Sequence, residues 1–122
     1  MNESVLIVGA GLGLSASLAR LCASENMNVV LAARNIDKLK DLKNEINAHT
    51  FKCDSSNINE VSFLFEELDK IIGTPNLVIY NPSARVRGTI QELDPYKTQD
   101  AINVTCFGAF LVAQQAVKRM LK

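Results

Sequence analysis

The sequence predicts an α/β fold in which a doubly wound parallel sheet lies between two layers of helices. Short apolar runs typical of strands alternate with longer segments of helical periodicity, in units of about thirty residues. Alternation of this kind is typical of parallel strands joined by right-handed helical crossovers. With 122 residues, 48% of them hydrophobic, the chain is long enough to bury one core. We therefore expect one three-layer domain over residues 1–122, with the strand order 3-2-1-4.

Four apolar runs, each bounded by polar or turn residues, are predicted to be the strands. They are residues 4–8, 28–32, 49–53 and 76–80. In the predicted order the fourth strand lies at the edge of the sheet, where an unpaired strand invites pairing with another chain. We therefore expect its apolar residues Leu77, Val78 and Ile79 to be available for self-association.

Two helices are predicted from apolar residues that recur three or four positions apart. The first runs from about Gly13 to Ser24, and the second runs from Ile36 to Ile46. The leucines that mark the apolar faces of these two helices are Leu14, Leu18, Leu21, Leu39 and Leu42. We expect these faces to pack on the sheet.

A third helix has the clearest amphipathic pattern in the chain. Ser56 or Asn57 can cap its start, and Gly73 and Pro75 end it. Its apolar positions are Val61, Leu64, Phe65, Leu68, Ile71 and Ile72. Charged residues occupy the opposite face, so this helix is predicted to cover one side of the sheet.

The last segment, from Pro95 to Lys122, is predicted to be helical throughout. Between Val104 and Ala113 it is apolar on nearly all sides, and a helix of this kind needs cover on two of them. The sheet supplies one cover, and either chain absent from this sequence or a second subunit supplies the other. We expect a homo-oligomer through the helix at 104–121, the strand edge at 76–80, or both.

Composition excludes several classes of partner. The 13 basic and 13 acidic residues balance, which removes the usual electrostatic reason for binding nucleic acid or membrane surfaces. Cys22, Cys53 and Cys106 lie in apolar segments without metal-binding spacing, so we expect reduced core cysteines and no metal site. His49 opens a predicted strand and is interpreted as structural. Without a signal sequence or a bilayer-spanning apolar run, a cytoplasmic protein is expected.

A glycine-rich stretch, GAGLGLS, connects the first strand to the first helix. Such a turn directs backbone N–H groups and the positive end of the helix dipole toward a pyrophosphate. Side chains at Gly9, Gly11 or Gly13 would occupy the space that the phosphates need. Leu14 and Ser15 follow as cofactor-binding candidates at the start of the helix. The pattern predicts a Rossmann-like dinucleotide site, and the alternative is a tight turn without a ligand.

The end of the second strand predicts which dinucleotide is bound. Small Ala33 is followed by Arg34 and Asn35, about twenty residues beyond the glycine turn. An NAD site needs an acidic side chain here for the ribose 2′-hydroxyl, whereas arginine suits a 2′-phosphate. We therefore predict NADP in preference to NAD, with Arg34 and Asn35 in the site. The alternative is that Arg34 is a solvated residue at the start of a helix.

In their order and spacing these motifs resemble the N-terminal half of a short-chain dehydrogenase/reductase, over essentially all of the chain. Gly9 and Gly13 match the first two glycines of the family's Gly-x-x-x-Gly-x-Gly turn, and Ser15 replaces the third. Asp54 matches an acid after the third strand, and Asn81 matches the start of an Asn-Asn-Ala-Gly segment after the fourth. The resemblance implies that Asp54 bonds the adenine amino group and that Asn81 lies in the cofactor site.

The chain departs from the family pattern in two of these motifs. Pro82, Ser83 and Ala84 replace the last three residues of the Asn-Asn-Ala-Gly segment, and Ser83 is retained as a cofactor-binding candidate. Ser15 adds a side chain where the family has glycine, and we expect its hydroxyl to donate to a phosphate. These departures keep open a non-enzymatic nucleotide-binding or oligomerisation module as the alternative function.

The resemblance implies hydride transfer on a small carbonyl or alcohol substrate. In the family a Tyr hydroxyl acts as general acid or base, and a Lys four residues later lowers its pKa. Tyr80 is followed at that spacing by Ala84, and Tyr96 is followed by Asp100. We therefore expect a truncated chain that is catalytically incomplete as it stands.

The family also has a catalytic Asn in its long helix. The run from Gly108 to Leu111 sets the register, and in that register the Asn falls on Thr105. Asn103 is the weaker candidate, because two positions along a helix place it on a different face. A methyltransferase has a similar glycine turn, but it would need acidic residues where Ile7 and Arg34 stand, so we reject it.

Overall fold

The computed structural model describes residues 2–122, and its centre is a parallel sheet of four strands. The strands are β1 (Ser4–Val8), β2 (Asn28–Ala33), β3 (His49–Lys52) and β4 (Leu77–Tyr80). Their order is β3-β2-β1-β4, and each neighbouring pair runs parallel. The predicted class and strand order are therefore confirmed, and β4 is an edge strand within the described residues.

The helices follow the strands in alternation. They are α1 (Leu14–Ser24), α2 (Lys40–Ile46), α3 (Ile58–Ile71), α4 (Pro95–Ile102) and α5 (Gly108–Met120). One 3₁₀ turn, Asp37–Leu39, precedes α2, and a π-helical turn, Asn103–Phe107, joins α4 to α5. The prediction that this segment is helical throughout is confirmed from Pro95 to Met120, but the wider π winding of five residues in its middle was not predicted.

Two hydrophobic clusters, one on each face of the sheet, form the core. Val5 and Ile7 of β1 belong to the cluster that contains residues of α1 and α2. Leu6 and Val8, which point to the opposite face, belong to the cluster that contains residues of α3 and α5. Because both faces of β1 are covered, every one of its residues is buried, as expected for a central parallel strand. This confirms the three-layer arrangement.

Helix α1 packs mainly through small residues, and Leu18 is its one leucine that contacts the core. Ala16, Ala19 and Cys22 are buried, whereas Leu14 is 64% and Leu21 is 58% exposed. Leu18 is partly buried against the core, as expected, but the expectation was wrong for Leu14 and Leu21. Alanine allows the helix backbone to approach the sheet closely, and these two leucines therefore lie farther round the helix. By contrast, Leu39 and Leu42 are buried as predicted.

Helix α3 begins and ends at the predicted residues. The Asn57 side chain accepts a hydrogen bond of 3.0 Å from the Glu60 N–H, which caps the helix. At the other end Gly73 has a φ of +71°, and its N–H donates to the Leu68 carbonyl. The buried residues are Val61, Leu64, Phe65 and Leu68. Ile71 is exposed despite its apolar spacing.

The cysteines differ in their exposure. Cys22 and Cys53 are buried free thiols, as predicted. Cys106 is exposed, so the expectation that all three cysteines lie in the core was wrong. It lies in the π turn between α4 and α5. No helix in the described part of the chain is long and apolar enough to cross a membrane.

Two side-chain contacts fix the last helix to the rest of the fold. The Arg119 guanidinium forms two hydrogen bonds of 2.9 Å with the Asp69 carboxylate on α3, and it lies over the Phe65 ring. In the π turn before α5, the Val104 carbonyl accepts from the Tyr80 hydroxyl, which lies 3.0 Å from Ser55 Oγ. The end of β4, the loop after β3 and the π turn therefore meet at one tyrosine.

Gly108 leaves room for that tyrosine. A Cβ atom built on Gly108 would overlap the Tyr80 hydroxyl oxygen and would lie 2.8 Å from the Ser55 carbonyl oxygen. Both distances are shorter than a nonbonded contact allows. The first residue of α5 is therefore restricted by the hydroxyl that supports the π turn.

Replacing Gly108 with alanine is expected to lower the free energy of unfolding by about 1–3 kcal/mol, although the same change in an unconstrained helix stabilises it by about 1 kcal/mol. Thermal unfolding measures the loss, at roughly 4–8 °C per kcal/mol for a domain of this size. In a Tyr80→Phe background the same replacement should be less harmful, because the overlapping oxygen is gone. Equal losses in both backgrounds would contradict this explanation.

Candidate nucleotide-binding cleft

A cleft of about 310 Å³ lies at the carboxyl ends of the strands. This is the edge at which open parallel sheets bind ligands. Each strand of the sheet contributes to it through the segment that follows. The lining residues are Val8, Gly9, Ala10, Gly11, Ala33, Arg34, Asn35, Lys38, Cys53, Asp54, Ser55, Asn81, Pro82, Ser83 and Val104.

Most of the residues predicted from sequence to bind the cofactor meet in this cleft. Those that line it are Gly9, Gly11, Arg34, Asn35, Asp54, Asn81 and Ser83. Gly13, Leu14 and Ser15 do not line it, because they begin α1 behind the turn. The fold thus collects residues that are up to 74 positions apart, from Gly9 to Ser83, around one volume.

The glycines of the turn fall into two groups. Gly9 has a φ of +84°, and a Cβ atom there would lie 2.7 Å from the Asn81 carbonyl carbon and closer still to the Pro82 nitrogen. This glycine is therefore required by the packing of two backbone segments. A Cβ atom on Gly11 or Gly13 would meet nothing within 4 Å. The space at these two positions is open, as a bound pyrophosphate requires.

Ser15 has a different role from the one predicted. It is 3% exposed, its hydroxyl donates to the Gly9 carbonyl at 3.2 Å, and it accepts from the Asn81 side-chain amide at 2.9 Å. The hydroxyl proton is therefore used inside the protein, and the structure does not support donation to a phosphate. Ser15 instead ties the glycine turn to the segment that follows β4.

Asp54 is held in place while keeping one oxygen available. Its Oδ1 accepts from the Ser56 N–H at 3.0 Å and from the Ser56 hydroxyl at 2.7 Å. The Asp54 N–H donates to Glu60 Oε1 at 3.1 Å, so the backbone is fixed as well. Oδ2 makes no hydrogen bond within residues 2–122. A positioned carboxylate oxygen of this kind can accept from an amino group of a ligand.

Cys53, beside Asp54, forms an uncharged part of the wall. Burial raises the pKa of its thiol to about 12, and the nearby carboxylates of Glu60 and Asp54 add to the rise. The thiol therefore stays protonated at neutral pH, and thiolate chemistry in the cleft is not expected.

The end of β2 presents basic groups to the cleft. Ala33 is buried, Arg34 is exposed, and no salt bridge within residues 2–122 engages Arg34. Asn35 Oδ1 accepts from the Asp37 N–H at 3.0 Å, which shapes the turn that follows. Lys38, in that turn, also lines the cleft and was missed at the sequence level. No spacing in the sequence could have identified it, because residues 34–36 are not helical and the turn at Asp37–Leu39 is what places Lys38 at the cleft.

The two candidate catalytic positions in the long helix lie outside the cleft. Thr105 is exposed, and its hydroxyl donates to the Ala101 carbonyl at 2.8 Å. Asn103 lines a separate groove that also includes Ile90 and Tyr96. The residue between them, Val104, is the one that reaches the cleft. Neither candidate therefore meets the predicted cofactor-binding residues in this cleft.

Tyr80 has a structural environment rather than a catalytic one. Burial raises the pKa of its hydroxyl above the ordinary value, and that hydroxyl donates to the Val104 carbonyl. A proton committed to a backbone carbonyl is not available to a substrate. Among residues 2–122 no group of three or more His, Cys, Asp and Glu side chains is placed to hold a metal ion.

Comparison with known proteins places these features in a family. The family model described as short chain dehydrogenase matches residues 3–122. An uncharacterized oxidoreductase of Staphylococcus aureus strain N315 is 29% identical over 124 residues, which cover 99% of this chain and 54% of that relative. The chain thus spans about half the length of the curated relatives it matches.

Solved structures show the same fold. A short-chain type dehydrogenase/reductase from Mycobacterium marinum superposes with a TM-score of 0.92 at 23% identity, over 98% of this chain and 50% of that one. A variant of actinorhodin polyketide ketoreductase, solved with NADPH, gives a TM-score of 0.91 at 24% identity, over 97% of this chain and 47% of that one. At these identities the likeness shows the fold alone.

Replacing single glycines of the turn with alanine should separate the effect on stability from the effect on dinucleotide affinity. Gly11→Ala is expected to leave the melting temperature unchanged and to weaken dinucleotide binding by about tenfold or more, because its methyl group enters open space that the phosphates need. Gly9→Ala is expected to lower the free energy of unfolding by more than about 2 kcal/mol, because it combines a positive φ with a backbone overlap. Calorimetric titration and thermal unfolding of both variants are the measurements. A Gly11→Ala protein with undiminished affinity would contradict a phosphate site at this turn.

Proposed function

We propose that this chain, which belongs to the short-chain dehydrogenase family, is the NADP-binding part of an oxidoreductase that acts on a small carbonyl or alcohol. One observation carries the proposal. The open face of the glycine turn at Gly11 borders the same cleft as Arg34, which has no ion-pair partner within residues 2–122. A site with room for a pyrophosphate and a cation beside it fits a phosphorylated dinucleotide.

The residues present fit such a cofactor along its length. The turn around Gly11 and the N-terminal end of α1 would hold the pyrophosphate through backbone N–H groups and the helix dipole. Asp54 Oδ2 would accept from the adenine amino group, and Arg34 would bind the 2′-phosphate. Asn81 and Ser83, on the β4 side of the cleft, would border the rest of the dinucleotide.

NADP supplies a hydride acceptor or donor when bound, and the chain's own residues would orient it. Proton transfer in such a reaction needs a general acid or base with a matched pKa. Tyr80 and Tyr96 have no lysine four residues later, and the Tyr80 hydroxyl is bonded to Val104. We therefore place hydride transfer in a longer protein and propose that residues 1–122 form its cofactor-binding domain, which would be catalytically incomplete and cytoplasmic.

A non-enzymatic nucleotide-binding or oligomerisation module is the second candidate. Thr105, at the position of the family's catalytic Asn, uses its hydroxyl within the helix. Ser15, at the third glycine position, is bonded to Gly9 and Asn81 and would not contact a ligand directly. A chain that binds the nucleotide without chemistry would be compatible with both observations.

Self-association is part of the proposal. Large apolar side chains on one side of the π turn and α5 are exposed to solvent, and the rings of Phe107 and Phe110 stack with centroids 6.2 Å apart. Burying about 400 Å² of such surface on each subunit would contribute roughly 10 kcal/mol per subunit before the costs of association. We propose that this surface, the β4 edge, or both join two copies of the chain.

Affinity for NADP should exceed affinity for NAD, and Arg34→Ala should remove most of the difference. A charge-assisted bond contributes about 1.5–3 kcal/mol, which corresponds to roughly tenfold to hundredfold in affinity. Titrations with NADP, NAD and S-adenosylmethionine measure the preference, and Arg87→Ala, an exposed arginine outside the cleft, is the control. Equal affinities of the unmodified chain for NADP and NAD would contradict NADP specificity.

Light scattering at micromolar concentration is expected to show a dimer or a higher oligomer. Phe110→Glu should shift the chain toward the monomer, because it places a charge in the proposed contact. Phe63→Glu, at an exposed phenylalanine on α3, is the matched control and should not change the mass. A stable monomer of the unmodified chain would rule out the proposed interface.

A further inference from the structure

We propose that Lys38 is a second cation of the 2′-phosphate site and shares with Arg34 the discrimination between NADP and NAD. The inference rests on the proposed function, since it concerns one end of the same cofactor. It adds a specificity-determining residue that the motifs of the chain did not identify. The observation behind it is that Arg34 and Lys38 both line the cleft, in the segment that follows β2.

The backbone around Lys38 is held in place at both ends. Asn35 Oδ1 accepts from the Asp37 N–H at 3.0 Å and so fixes the start of the 3₁₀ turn Asp37–Leu39. Leu39 follows directly and is fully buried in the core cluster between the sheet and α1 and α2. Lys38 therefore extends from a turn that is anchored on either side, and the position of its Cα relative to Arg34 is set by the fold.

The charges nearby favour an anion. Neither Arg34 nor Lys38 forms a salt bridge within residues 2–122, so both cations are available to a ligand. The acidic neighbours along the chain, Asp37 and Asp41, are exposed and are not among the lining residues. The lining residues that follow β2 thus include two positive side chains and no carboxylate, and the one carboxylate among the lining residues, Asp54, follows β3.

The number of cations matters because of the charge of the ligand. A phosphate monoester carries about −1.5 to −2 charges at neutral pH, so one guanidinium does not neutralise it. Arginine can hold two phosphate oxygens in a fixed geometry, whereas lysine acts as a mobile point charge. Lys38 can therefore compensate the second charge of a 2′-phosphate. With NAD, which has only a hydroxyl there, the same lysine gains no comparable contact.

The experiment compares Lys38→Gln, Lys38→Arg and Lys40→Gln in the 122-residue chain. Lys40 is the matched control, because it is exposed, two residues away, and outside the cleft. The probes are NADP, NAD and 2′,5′-ADP, the last of which carries the 2′-phosphate without the nicotinamide half. Each affinity is measured at low and at physiological ionic strength, and thermal unfolding checks that the variants remain folded.

Lys38→Gln is expected to lower the NADP-to-NAD affinity ratio by about threefold to tenfold and to weaken 2′,5′-ADP binding by a similar factor. Lys38→Arg should retain the ratio, and Lys40→Gln should not change it. The salt dependence of NADP binding should become shallower in Lys38→Gln, because one phosphate contact is lost.

Two negative outcomes are distinguishable. If the unmodified chain prefers NADP and Arg34→Ala abolishes that preference while Lys38→Gln behaves like Lys40→Gln, the role of Lys38 is overturned and the proposed function stands. If the unmodified chain binds NADP and NAD equally, NADP specificity fails, and the role of Lys38 fails with it.

Discussion

The candidate site depends on one close approach between two backbone segments. The turn after β1 passes so near the segment after β4 that Gly9 has no room for a side chain against Asn81 and Pro82. The Ser15 hydroxyl reinforces the contact by bonding to both segments. Because this contact sets how far the glycine turn stands from the β4 side, it also sets the width of the cleft. Gly11 and the residues after β2 can contact one ligand only if this width is maintained.

Much of the fold could be predicted from local patterns, because burial on both faces of a parallel sheet leaves continuous apolar runs in the sequence. The limits of helix α3 were predictable for a similar reason, since Asn57 and Gly73 act through their nearest neighbours. The buried face of α1 was not, because close helix packing favours small residues and periodicity gives weight to large ones. The π turn was not predicted, and the side chain that bonds to it, Tyr80, is distant in sequence.

In the candidate site, too, some features could be predicted from local sequence and others depend on segments that are distant in sequence. Sequence motifs identified the glycine turn, Arg34 and Asp54, each of which follows a strand. They could not separate Gly9, which is required for packing, from Gly11, which borders open space, because that difference depends on the segment after β4. Lys38 was missed because a lysine at the start of a helix is usually solvated, and only the turn before α2 brings it into the cleft that Arg34 also lines.

Because the three thiols differ in burial, a thiol reagent is expected to label the chain at a single cysteine. Cys22 and Cys53 are enclosed, and burial raises the pKa of both, so thiol reagents would meet little thiolate at either position. Cys106 is exposed in the π turn and precedes Phe107 in the sequence. A maleimide dye would therefore attach at the helix surface where a second copy is proposed to bind. Its fluorescence would report contact at that surface without any engineered cysteine.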